Sequence, residues 1–134
     1  GVLYVNDSKA TNPESVMKAL ESFQQPIILI AGGRNKGSDF AELAQVVANR
    51  VRDLILLGEA RQEIKDAVMK TSFRNIHEVN DLTEAVDLAS QLAVVGDVVL
   101  LSPACASWDQ FPSYEHRGDL FCKLARSLAE QSPD

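Results

Sequence analysis

The sequence is short of most features that would take it out of the ordinary globular class. It has only two cysteines, Cys105 and Cys122, and they form no CxxC pair. Neither a disulfide framework nor a zinc site is therefore indicated, no metal-ligand set is expected, and a reducing, cytoplasmic setting fits best. Basic residues are outnumbered, 13 Lys and Arg against 19 Asp and Glu, for a net charge of −6. With no basic stripe to neutralise a run of phosphates, nucleic acid is excluded as an expected partner. No apolar run approaches the roughly 18 to 20 residues that cross a bilayer, and Gly1 to Asp7 has neither the basic start nor the apolar stretch of an export signal. A membrane partner is not expected either. Walker and GxGxxG phosphate loops are both missing, as are internal repeats, linkers and low-complexity stretches; only a polar tail from Gln131 onward stands out.

What remains suits one core: 134 residues with 46% hydrophobic content. Short apolar runs at Leu3 to Val5, Ile27 to Ala31, Leu54 to Leu57 and Val98 to Leu101 read as strands, with a weaker one through Ile76 to Val79. Ile27 to Ile30 and Val98 to Leu101 are unbroken, the pattern of strands covered on both faces of a parallel sheet. Helical stripes lie between them. Val16, Ala19, Leu20 and Phe23 follow Asn12 and Pro13, a cap and a first-turn proline. Phe40, Leu43, Ala44 and Val47 follow Ser38 or Asp39 as cap. Ile64, Ala67 and Val68 form the next stripe, then Leu82, Ala85, Val86, Ala89 and Leu92, and finally Leu120, Phe121, Leu124, Ala125 and Leu128. Strands alternating with helices predict an α/β, Rossmann-like domain: an open, mostly parallel sheet with helices on both faces.

In such sheets ligands bind beyond the carboxyl ends of the strands. Three loops there carry unusual chemistry. The first, Asn6 to Asn12, offers the Asp7 carboxylate, the Lys9 ammonium and the Ser8 and Thr11 hydroxyls before a helix start that attracts anions; it also reads as a polar loop with Asn12 as cap and Lys9 in solvent. The second, Gly32 to Gly37, combines glycines that permit positive φ and close approach of a ligand to the backbone with the point charge of Lys36; its bland reading is a tight turn with Lys36 exposed. The third runs from Ser102 through Cys105 and Ser107 to Trp108, with Phe111 and Tyr114 beyond, aromatics that could line a ligand site or pack beneath the loop. By contrast, the loop after Leu57 holds only Gly58, Glu59 and Ala60.

Other constellations carry less. Cys105 with His77 or His116 lacks an orienting group and reads as a small buried cysteine. Adjacent Ser8 and Lys9 in an extended stretch point to opposite faces, which argues against a hydrolase dyad. Arg117, Gly118 and Asp119 spell an adhesion tripeptide at the start of a helix, taken here as coincidence.

Taken in order and spacing, NDSKATN after the first strand, GGRNKG after the second and LSPACASWDQFPSYEHRGDLF near the end resemble the carboxy-terminal domain of the Mur ligases, in particular the members that add D-glutamate. The resemblance covers nearly the whole chain, and its first and third motifs are the specific ones. It implies a three-domain enzyme whose amino-terminal domain holds a UDP-sugar and whose central domain carries the phosphate loop and magnesium ligands, with residues 1–134 as the third, amino-acid-binding domain alone. The implied reaction uses ATP to activate the carboxylate of UDP-N-acetylmuramoyl-L-alanine as an acyl phosphate, which the amine of D-glutamate attacks. Carried over by position, Asp7 binds the ATP ribose, and catalytic Lys9 lies near the transferred phosphate. Thr11, Lys36 and Ser107 hold the D-glutamate carboxylates, assisted by the backbone around Trp108 and Tyr114, positions at which family members vary between aromatic and aliphatic side chains. Two parts of the family machinery are not in this sequence: the central Walker motif, and an arginine that in the family lies shortly before the position of Gly1 and contacts the nucleotide. A monomer that is inactive in isolation is expected, with ATP and magnesium acting only in the complete enzyme. The alternatives are a free-standing nucleotide- or sugar-phosphate-binding module, with Gly32 to Gly37 cradling phosphate, and a non-catalytic interaction domain.

Overall fold

A computed structural model of the chain describes residues 1–131, so the expected polar tail beyond Gln131 lies outside the described residues. Five strands and five helices alternate: β1 (Leu3–Asn6), α1 (Pro13–Glu21), β2 (Ile27–Gly32), α2 (Ala41–Arg50), β3 (Val51–Leu57), α3 (Arg61–Met69), β4 (Ile76–Glu78), α4 (Leu82–Leu92), β5 (Val98–Leu101) and α5 (Tyr114–Gln131). All pairings in the sheet are parallel, in the order β1-β5-β2-β3-β4.

The unbroken apolar strands are divided between two faces by the period-two geometry of a strand. Ile27, Leu29, Ala31, Leu54, Leu56, Val98 and Leu100 join one core with Val16, Leu20, Leu43, Val47, Ile64 and Val68 of α1, α2 and α3. Ile28, Ile30, Ile55, Leu57, Val99 and Leu101 join the other with Leu82, Ala85, Val86, Ala89 and Phe121 of α4 and α5. β2 is buried at every position, as its composition predicts. β4 is short because it is an edge strand with only Leu54 to Leu56 as partners.

Helix starts follow local chemistry in part. Asn12 accepts a hydrogen bond from the Ser15 amide at 2.9 Å and Pro13 opens α1; Asp81 accepts from Glu84 N at 2.9 Å, while the Glu84 carboxylate accepts from Asn80 N at 2.7 Å. Three boundaries differ from expectation. Phe23 lies past the end of α1, though it still packs on the first core. Phe40, not Ser38 or Asp39, occupies the cap position of α2, and Asp39 instead accepts from the Ala41 amide at 2.8 Å. α5 begins at Tyr114, well before the apolar stripe, because Ser113 accepts from the His116 amide and the first turn is held from within the fold.

β5 arrives last yet lies between β1 and β2. The chain leaving β1 and β2 turns to the α1–α3 face, whereas the chain leaving β5 turns to the α4–α5 face. Adjacent strands whose exits diverge open a crevice at their carboxyl ends, the switch point where open α/β sheets bind ligands. At the opposite end, buried Asp97 accepts from Arg52 at 2.8 Å, and Arg52 also reaches Asp53, which meets His77 at 3.1 Å. No helix among the described residues is long and apolar enough to cross a membrane.

Candidate functional site

The loop after β5 is the centre of the crevice, and backbone bonds fix it to its neighbours on both sides. Toward the loop after β1, Ala104 N donates to Ala10 O at 2.9 Å, and Ser102 Oγ donates to Asp7 Oδ2 at 2.8 Å. Toward the loop after β2, Arg34 and Ala106 exchange a pair of bonds, N to O at 2.9 Å and 3.0 Å, and Gly32 N donates to Pro103 O at 2.9 Å. Thr11, Lys36 and Ser107 therefore stand one, two and one residues from three points that are tied together.

The glycines of the second loop serve this assembly rather than a ligand. A Cβ on Gly32 would lie 1.9 Å from Leu57 O, and one on Gly33 would lie 2.3 Å from Ala106 O. The Gly32 and Arg34 amides are spent on Pro103 and Ala106. Close approach of a ligand to Gly32 and Gly33 is thus corrected to close approach of neighbouring backbone, and two of the amides that a phosphate cradle would use are occupied. The loop after β3, unremarkable in sequence, is part of the same joint. Gly58 has φ of +82°, and a Cβ there would meet Asp109 Oδ2 at 2.5 Å and Gly33 Cα at 2.8 Å. Asp109 accepts from Glu59 N at 3.0 Å, Glu59 pairs with Arg34 at 3.1 Å, and Ala60 N donates to Gly33 O.

Two clusters emerge. In the first, Asp7 is half-buried with Oδ2 engaged by Ser102, and its Oδ1 takes no hydrogen bond among the described residues. Lys9 is exposed and shares a cleft of about 210 Å3 with Asn6, Ser8, Tyr114, Glu115 and Asp119. Tyr114 is the first residue of α5, and its carbonyl accepts from Ser8 Oγ at 2.7 Å, so it belongs beside Lys9. In the second cluster, the Lys36 ammonium lies 5.8 Å from the centre of the Trp108 ring. Ser107 is 2% exposed, and its Oγ is the buried side-chain polar atom without a hydrogen-bond partner among the described residues. An orphaned hydroxyl is costly in a dry place unless something visits it. Thr11, half-buried, lies on the chain between the clusters.

Arg117 is the residue that sequence reasoning missed. Only 2% exposed, it donates from Nε to Ser8 Oγ at 2.8 Å, from Nη2 to Ser8 O at 2.7 Å and from Nη1 to Cys105 O at 3.1 Å. Burial lowers its pKa to about 10, which leaves it cationic at neutral pH. The signal was available: extending the Phe121, Leu124 and Leu128 stripe back by one turn lands on Arg117, an inward position that a solvated arginine would not hold. The tripeptide it begins is a coincidence of this packing. Cys105 is 1% exposed and its thiol is pushed up to about 12, chiefly by burial, so it is no nucleophile at neutral pH. His116 bonds Ser113 and His77 bonds Asp53, each away from any thiol partnership. The Ser8 hydroxyl is bonded to Arg117 and to the Tyr114 carbonyl.

A larger cleft, about 540 Å3, is lined by Gly1, Val2, Tyr4, Val95, Ala125 and Leu128 at the other end of the sheet. Among the described residues it gathers no charged side chain, so the convergence of polar groups, not volume, marks the strand-end crevice as the candidate site.

The fold and this crevice define a doubly wound α/β domain with two cation-bearing clusters at its switch point. Residues 1–105 match the family model described as "Mur ligase, glutamate ligase domain", and the chain belongs to that family. It is 53% identical over 128 residues to the UDP-N-acetylmuramoylalanine--D-glutamate ligase of Pelotomaculum thermopropionicum, covering 96% of this chain and 28% of that protein. With the ligase of the same name from Clostridioides difficile it shares 51% over 120 residues, 90% of this chain and 27% of that one. The chain thus spans little more than a quarter of the length of these curated relatives. Among solved structures, E. coli FolC in complex with ADP matches with a TM-score of 0.58 and 15% identity over 90% of this chain and 28% of that one. The UDP-N-acetylmuramate-alanine ligase MurC of Thermotoga maritima matches at 0.54 and 12%, over 88% and 25%. At such identities these two likenesses speak to the fold alone.

Proposed function

We propose that this chain is the amino-acid-docking and ATP-covering domain of a cytoplasmic ligase that joins D-glutamate to UDP-N-acetylmuramoyl-L-alanine in peptidoglycan precursor synthesis. The observation that carries the reading is the buried, unpartnered Ser107 hydroxyl next in sequence to Trp108, against which the Lys36 ammonium rests. A hydroxyl donor adjacent to the residue that holds a cation suits a carboxylate. A second carboxylate finds the Thr11 hydroxyl just ahead of α1, where the helix dipole favours an anion. A dicarboxylic amino acid is matched by two such points, and identity near one half with D-glutamate ligases supports the choice.

The remaining cluster suits the nucleotide. Asp7 keeps Oδ1 open toward a ribose hydroxyl, which donates to a carboxylate, while Ser102 fixes the carboxylate's orientation. Lys9 carries an exposed ammonium where negative charge would develop. ATP in such a ligase supplies the phosphoryl group that turns the accepting carboxylate into an acyl phosphate; the amine of D-glutamate then displaces phosphate and forms the amide. The chain's part is to hold the amino acid, exclude water and offer positive charge. No group of three or more His, Cys, Asp or Glu among the described residues could hold a metal ion, and magnesium is assigned in this reading to the central domain. Acting alone, the chain is expected to bind D-glutamate weakly and to turn nothing over, because the opposing domain that aligns the amine is not in it.

Titration of the 15N-labelled chain with D-glutamate tests this reading. Shifts confined to Thr11, Lys36, Ser107 and their neighbours, larger than with L-glutamate, are expected; no shift at these residues in excess D-glutamate overturns it.

A further inference from the structure

We propose that Trp108 is a positioning residue for Lys36: its indole face holds the ammonium one residue along the chain from the Ser107 hydroxyl, and this contact sets the affinity for an incoming carboxylate. The identity of that carboxylate rests on the D-glutamate reading above; the contact itself does not.

The two partners differ in how firmly they are held. Trp108 is flanked by Ser107, buried and accepting at its carbonyl from Gln110 N and Phe111 N, and by Asp109, anchored on Glu59 N. The base of the indole is therefore fixed even though the side chain is 58% exposed. Lys36 is exposed in the loop after β2, beside Gly37 with its φ of +91°. Among the described residues no carboxylate lies within ion-pair distance of its ammonium, and it makes no hydrogen bond. The cation–π contact at 5.8 Å is what remains to orient it.

A free lysine loses much rotamer entropy when a ligand immobilises it. Resting on tryptophan, the strongest aromatic partner for a cation, it has lost part of that freedom beforehand. A ring face takes none of the three ammonium donors in the way a carboxylate would, so the donors stay available to a ligand. Because the pair is solvent-exposed, its effect is modest: about two- to fivefold in affinity.

The chain has a single tryptophan, which makes the test direct. In the wild-type chain the Lys36 ε-methylene protons are expected to be shifted upfield by the indole ring current, and Trp108→Leu should return them to ordinary positions. By NMR titration Trp108→Leu should weaken D-glutamate about two- to fivefold, Trp108→Phe less. In a Lys36→Met background, Trp108→Leu should change nothing further. Unshifted Lys36 protons in the wild type, or an equal loss on Trp108→Leu with and without Lys36, would overturn the proposal. If the ring-current shift is present but D-glutamate moves none of Thr11, Lys36 and Ser107, the amino-acid reading fails and the docking role of the contact falls with it.

Discussion

Ser8 and Arg117 bond each other twice, through the serine hydroxyl at 2.8 Å and the serine carbonyl at 2.7 Å, and so clamp the loop after β1 to the first turn of α5. The third donor of the guanidinium reaches Cys105 O, so one side chain spans two of the three site loops. Arg117→Met removes donors from acceptors that stay buried. It is expected to lower the unfolding free energy by roughly 2–4 kcal/mol in urea denaturation. A loss below about 1 kcal/mol would mean that the loops hold without it.

Gly118 follows Arg117 inside α5, where glycine is a poor helix former. Its reason is Asn6: a Cβ at 118 would lie 2.8 Å from Asn6 Nδ2 and 2.9 Å from Oδ1, and Oδ1 also accepts from Ser8 N at 3.0 Å. Asn6 is exposed and its amide can swing aside only by giving up the bond from Ser8 N, so Gly118→Ala should show little of the roughly 1 kcal/mol gain that helix propensity alone predicts. Serine at position 6 is shorter and can still accept within the turn. In an Asn6→Ser background Gly118→Ala should show that gain in thermal unfolding, and an equal gain in both backgrounds would refute the contact.

Ser107 separates stability from binding. Deleting its orphaned hydroxyl removes a desolvated polar atom, so Ser107→Ala should raise stability by about 1 kcal/mol. The same change should weaken D-glutamate binding, because the donor assigned to the carboxylate is gone. Measured by urea midpoint and NMR titration, destabilisation together with unchanged binding would return Ser107 to a structural role.

The two cation clusters should separate by ligand. In a complete ligase carrying this domain, Lys36→Ala should raise the KM for D-glutamate far more than that for ATP, and Asp7→Asn should do the reverse. An ATP effect for Lys36 would move it to the phosphate side; equal nucleotide affinity for Asp7→Asn would leave Asp7 as a turn residue bonded to Ser102.

Cys105 gives a pH signature. Its thiol is raised by burial to about 12, while in the unfolded chain it ionises near about 8.5. The folded state thus binds the proton more tightly. The associated stability is fully present below about pH 8 and is lost as pH rises through the range up to about 12. Cys105→Ala should show a shallower alkaline decline than wild type in denaturant midpoints between about pH 8 and 11; identical slopes would mean that the thiol is already accessible.

The strands were legible because consecutive apolar residues leave few options: Ile27 to Ile30 can only be covered on both faces, and they are. The helix stripes located α1 to α4 within a few residues for the same reason. α5 was misjudged at its start because Tyr114 to Asp119 is polar by composition, and the burial of Arg117 depends on Ser8 and Cys105, residues distant along the chain. At the site, motif order brought forward Asp7, Lys9, Thr11, Lys36 and Ser107. It could not show that Tyr114 sits with Lys9, that Trp108 meets Lys36, or that the glycines of the second loop face protein backbone. Those facts come from the pairing of loops in space, which local pattern does not encode. Gly58 was passed over for that reason: its demand arises from Asp109 and Gly33, not from its neighbours.

The placement of β5 has a consequence for the order of assembly. β1 bonds to no other strand in the sheet, and its register runs entirely against Val98 to Leu101. During synthesis β2, β3 and β4 can pair as each emerges, whereas β1 must wait, unpaired, until β5, which begins at Val98, has emerged. The loop bearing Asp7, Lys9 and Thr11 gains its anchors, Leu101, Ser102 and Ala104, at that same moment. Closure of this long-range contact is the slow kind of folding event. Completion of the sheet and the first anchoring of the loop after β1 are accordingly one step.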